Sequence, residues 1–122
     1  MVLLLLFFAL FCIAEGCAPG ASQATITLYT EETYNPNENS FYKDHATKLI
    51  KEALAKYGIH NADSYFAVSP RSSFGRVAID VNVLAGVDCN TLPRFVNEMI
   101  TQNLLVTSAG IKCGNNPFIA VS

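Results

Sequence analysis

The chain has 122 residues, 51% of them hydrophobic and 15% charged, with a formal net charge of −2 and four cysteines. That length predicts one domain, and the branched aliphatic and aromatic residues spread through it exclude a disordered chain. A pI near 5.5 excludes a nucleic-acid binder that works by neutralising phosphates.

Residues 2–14 are apolar without a break. As a helix they would reach about 20 Å, short of the roughly 30 Å of bilayer hydrocarbon. The run therefore fits the apolar core of a secretory signal peptide. No Lys or Arg precedes it, so the α-amino group is its positive end. Ala14-Glu15-Gly16 has the small-x-small spacing of a cleavage site, which predicts a signal peptide over residues 1–16. Ala14 and Ala21 are alternative cleavage points. The expectation is a secreted chain with no stable membrane span after cleavage. Cys12 leaves with the signal, so Cys17, Cys89 and Cys113 remain, an odd number for an oxidising compartment.

Residues 17–23 read as a flexible leader and 24–122 as a single small α+β domain. Ala24 to Thr30 alternates apolar and hydroxyl residues, the period of a half-buried strand. Glu31 to Asn39 is acidic and rich in Asn and Pro, a loop. Tyr42, Ala46, Leu49, Ile50, Ala53, Leu54 and Tyr57 then recur at helical spacing. Asn39 or Ser40 can cap the start of that helix, and Gly58 suits its end. A short strand is expected at Ser64–Val68 and a loop over Ser69–Gly75. Val77, Ile79, Val81 and Val83 form the clearest alternation in the chain. Leu92, Phe95, Val96, Met99, Ile100 and Leu104 give a second helical stripe. A last strand, about Leu105 to Cys113, precedes a tail at Gly114–Pro117.

This βαββαβ order predicts a ferredoxin-like sandwich, a four-stranded antiparallel sheet with two helices on one face. Ile26, Leu28, Val77, Ile79, Val81 and Val83 should face the helices. Thr25, Thr27, Asp80 and Asn82 should lie on the open face. The topology brings the start of the second helix and the end of the fourth strand to one edge, which predicts a Cys89–Cys113 disulfide. Cys17 is then left as a free thiol, a capped thiol, or a bridge between two copies.

Catalysis needs convergent groups with tuned pKa values, and the spacing supplies no such set. His45 is expected on the solvent side of the first helix, and His60 follows Gly58. The sequence has no Gly-x-Ser-x-Gly elbow, phosphate loop or Cys-x-x-Cys pair. No catalytic residue, metal site or cofactor is assigned. The chemically mixed loop around Arg71, Phe74 and Arg76 is the candidate recognition element, because aromatic and Arg side chains dominate binding hot spots.

Two resemblances bear on this region. Phe74-Gly75-Arg76-Val77-Ala78-Ile79 resembles the third-strand motif of RNA-recognition domains. Arg76 and Ile79, however, stand where that family places stacking aromatics, and Ala24-Thr25-Ile26 lacks the partner ring. Gly75-Arg76-Val77-Ala78-Ile79 is similar to the hairpin of extracellular SEA domains, with Arg76 in place of the nucleophilic Ser. That resemblance implies an SEA-like module without self-cleavage. The reading is a secreted, non-catalytic module that binds an extracellular protein or other ligand and no nucleic acid. A small secreted hydrolase or hydrolase inhibitor is the alternative.

Overall fold

The structure, a computed structural model, describes residues 11–12, 22–60, 62–101 and 105–122. It is an α+β fold of strands β1 (Phe11–Cys12), β2 (Ser22–Thr33), β3 (Phe66–Ser73), β4 (Arg76–Val87), β5 (Val106–Cys113) and β6 (Ile119–Val121), with helices α1 (Asn39–Ala55) and α2 (Leu92–Thr101). Every pairing is antiparallel, in the order β3-β4-β2-β5-β6. The two residues of β1 pair with Val87 and Gly86 at the end of β4. They fall within the expected signal segment. The rest of residues 1–16, together with Cys17 and the leader to residue 21, lies outside the described residues.

The register of β2 on β4 follows from the alternation. Ala24, Ile26 and Leu28 stand opposite Val83, Val81 and Ile79, and all six are buried. Side-chain period two puts them on one face. Both helices cover that face, since Ile50 of α1 and Leu92, Phe95 and Met99 of α2 meet Ile26, Val81 and Val83 around one small void. The helical stripes are the expected ones. Tyr42, Ala46, Ile50 and Leu54 are buried on α1, with Leu49, Ala53 and Tyr57 packed at its flank. Leu104, at the end of the second stripe, lies outside the described residues. Just past the end of α1, the Tyr57 hydroxyl donates to Glu98 of α2, a bond that pushes its pKa up to about 12.

The sheet is larger than the four strands expected. After Gly114, at φ +56°, the chain turns back and Ile119–Val121 pairs with Ala109–Ile111. Three residues are too few to display a period, so only the Gly-Asn turn marked this strand. β2 begins at Ser22 and runs to Thr33, into both the expected leader and the expected loop. Ser64 belongs to a 3-10 turn, and the strand starts at Phe66.

The expected loop over Ser69–Gly75 is instead strand up to Ser73, closed by a two-residue turn. Pro70 is tolerated there because, among the described residues, β3 is an edge strand paired with β4 alone, so one side needs no ladder donor. Phe74 and Gly75, at φ +53° and +82°, carry the two positive values of a type I′ hairpin turn. Phe74 is a side chain that rarely adopts this conformation.

The two ends of α1 differ in how they are capped. Gly58, at φ +80°, donates to the Ala55 carbonyl at 3.0 Å while Ile59 donates to the Leu54 carbonyl at 3.1 Å, a Schellman pair. At the other end neither Asn39 nor Ser40 is the cap. A 3-10 turn at Pro36–Glu38 precedes α1, and Asn35 caps it, its side chain accepting from the Asn37 N–H at 3.0 Å.

Cys89 and Cys113 form a disulfide with Cα atoms 5.7 Å apart, tying the entry of α2 to the end of β5. Their sequence separation of 24 corresponds to about 3 kcal/mol of loop-closure entropy. The Cys89→Ala/Cys113→Ala double variant should lose about that much in urea denaturation. Phe74→Asn should gain about 1 kcal/mol in the same assay, because Asn tolerates the left-handed turn.

Candidate functional site

The inward face of β2 continues past Leu28 with Thr30 and then Glu32, polar residues where an apolar pattern would place core. The ladder is irregular here. The β2–β4 register shifts between Tyr29 and Thr33, and the β2–β5 register shifts between Tyr29 and Thr30. The Thr30 hydroxyl repairs the gap, donating to the Val77 carbonyl at 3.0 Å and accepting from the Glu32 N–H at 3.1 Å. A bulge of this kind bends the strand and re-aims its side chains.

Above the bulge sits the N-terminal half of α1, and between them lies a cavity of about 290 Å³. Its floor is Leu28, Val77, Ile79 and Val106 from three strands, and Tyr42, Ala46 and Leu49 of α1 form its roof. Ala46 is a small residue of the helical stripe. Phe41, 61% exposed, and Leu105 stand at the mouth with Glu32, Glu38 and His45. The volume is near the lower end for small-molecule sites, and a mostly apolar wall with a few polar groups is the usual lining of one.

The connection from β2 into α1 holds this end of the cavity in place. The Tyr42 hydroxyl donates to Glu38 Oε2 at 3.0 Å and accepts from the Asn35 N–H at 3.3 Å. The Tyr34 hydroxyl donates to Asn39 Oδ1 at 2.9 Å, and its ring lies 6.2 Å from that of Tyr42. Burial holds the Tyr42 hydroxyl above the usual tyrosine pKa. The hydrogen bond to Glu38 and the charges of Glu38 and Glu32 push the same way. Both carboxylates thus act on one hydroxyl.

His45, expected on the solvent side, is half-buried at the cavity, its ring stacked 6.1 Å from Phe41 at an interplanar angle of 19°. A turn of helix separates Phe41 from His45, which the stripe alone did not distinguish from a solvated position. His60 is exposed.

The three candidate recognition residues do not form one cluster. Phe74 is fully exposed at the hairpin tip. Arg76 is held at the hairpin base, where it donates to the Glu31 carbonyl at 2.6 Å and pairs with Glu31 Oε2 at 2.9 Å. Arg71 lies on the open face, with Nε 2.7 Å from Asp80 Oδ2. Asp80 Oδ1 accepts from the Thr27 hydroxyl at 2.7 Å, and Asn82 Oδ1 accepts from Thr25 at 3.1 Å. The Arg71 side chain therefore completes a cross-strand polar ladder.

The open face itself is not bare. Gly110 stands opposite Thr27, and a Cβ at Gly110 would lie 2.2 Å from Phe118 Cζ. The Phe118 ring is thus laid against the backbone of β5. Thr27, on the open face as expected, is only 7% exposed.

Among the described residues, no group of three His, Cys, Asp or Glu side chains can hold a metal ion. No helix among them is long and apolar enough to cross a membrane. No curated protein and no solved structure matches the chain. The family described as secreted clade V proteins matches residues 24–120, which takes in both helices and the cavity between α1 and the sheet. The protein is therefore secreted, and the chain belongs to the secreted clade V proteins.

Proposed function

We propose that the protein is an extracellular binding module that takes a small, largely apolar ligand between α1 and the sheet. The cavity of about 290 Å³ carries this reading. A gap of that size beside well-packed strands forfeits dispersion contacts, and an apolar guest would restore them. The polar mouth then orients what the apolar walls hold. In this reading the signal peptide is removed after Gly16, and Cys17 stays with the mature chain as a free, capped or bridging thiol. The strand order β3-β4-β2-β5 supports a ferredoxin-like sandwich, to which β6 is an added edge strand.

A second contact, with a protein partner, is favoured by one observation. Phe74 holds a fully exposed ring at φ +53°, a position where Asn or Gly would be easier. Arg76 clamps the base of that hairpin and Arg71 its open face, so the ring is presented on a stiff support. This surface and the cavity are separable by mutation.

Leu49 roofs the cavity and is half-buried, so Leu49→Trp puts an indole into the space a guest would fill. The neutral fluorophore N-phenyl-1-naphthylamine should bind the secreted protein, and Leu49→Trp should weaken it by about tenfold, a loss of about 1.4 kcal/mol. Phe74→Ala should leave the binding unchanged. Equal binding by the wild type and Leu49→Trp would remove the cavity as the site.

A further inference from the structure

The chemistry of the cavity mouth defines the ligand further, given the reading above that the cavity is a binding site. Two carboxylates, Glu32 and Glu38, line it beside His45, and no Lys or Arg does. The neighbouring Glu31 is occupied by Arg76 at 2.9 Å. Among the described residues, neither Glu32 nor Glu38 belongs to a salt bridge. They reach the mouth from different elements, Glu32 from the end of β2 and Glu38 from the 3-10 turn before α1. Their convergence is therefore a product of the fold.

We infer that the ligand is a small cationic amphiphile, an apolar body bearing a single amine, with its ammonium group between Glu32 and Glu38. The apolar body lies over Leu28 and Ile79, under Leu49. Bringing an ammonium to the edge of an apolar cavity costs hydration, and the two carboxylates supply what replaces it. An acid of the same length would instead place a like charge against both carboxylates. The Tyr42 hydroxyl already donates to Glu38 Oε2 at 3.0 Å. This fixes one carboxylate and leaves its other oxygen for the ligand.

Calorimetric titration of the intact secreted protein with n-octylamine, n-octanol and octanoate at pH 7 separates charge from apolar burial. Octylamine should bind about tenfold tighter than octanol, with octanoate weakest. In Glu32→Gln/Glu38→Gln, octylamine should fall to the affinity of octanol while octanol is unchanged. The Gln side chain retains an oxygen to accept from Tyr42, so the fold is kept. Equal affinity for octylamine and octanol in the wild type, or tighter octanoate, overturns the cationic ligand and leaves the cavity reading standing. Absence of binding by all three overturns both.

Discussion

The register between β2 and β4 is the constraint on which the rest of this molecule depends. Ile26 opposite Val81 and Leu28 opposite Ile79 place buried aliphatic side chains of both strands under the helices. A slip of β2 by one residue would turn Ile26 and Leu28 to the open face and bring Thr25 and Thr27 into the core. The open face adds its own reinforcement. Thr27 bonds Asp80, Thr25 bonds Asn82, and Arg71 extends the first pair to β3. Apolar burial on one face and polar pairing on the other select the same register, the agreement between levels expected of a well-specified fold.

That register stops being regular where the cavity begins. Beyond Leu28 the inward positions of β2 are Thr30 and Glu32, and the ladder shifts on both sides of the strand. Thr30 closes the interrupted backbone bonds with its own hydroxyl. With Ala46 overhead on α1, little side-chain volume remains to fill the space. The C-terminal half of α1, in contrast, buries Ile50 and Leu54, and Ile50 meets the sheet and α2 around a far smaller void. One helix thus serves two purposes along its length. Its second half holds the domain together with the Cys89–Cys113 bond near the same core, and its first half roofs a chamber.

Much of this was legible in the residues. Period-two and helical spacing gave both helices, the central strands and the buried face, because those patterns run long enough to repeat several times. The Cys89–Cys113 link followed from element order alone. What was not legible had local causes. Ile119–Val121 is too short to show alternation. Pro70 and the polar run Ser69–Ser73 disguise an edge strand as a loop, since an edge strand needs neither a full set of donors nor an apolar face on both sides. Asn39 and Ser40 looked like caps, yet Pro36 moved the helical turn forward to Asn35. The cavity itself had a signal in Thr30 and Glu32, polar residues continuing an inward-facing series. Only the placement of Glu38, His45 and Phe41 over them, which depends on how α1 crosses the sheet, shows that the two polar positions open onto a chamber.

The account rests on a ligand seated between α1 and the bulged end of β2. Solution NMR of the mature protein saturated with an apolar amine tests this most directly, through intermolecular nuclear Overhauser contacts. Contacts from the alkyl chain to the methyl groups of Leu28, Leu49 and Ile79, with no contacts at Phe74 or Phe118, are the predicted result. Contacts confined to Phe74 or Phe118, with the Leu28, Leu49 and Ile79 methyls unperturbed, would contradict it.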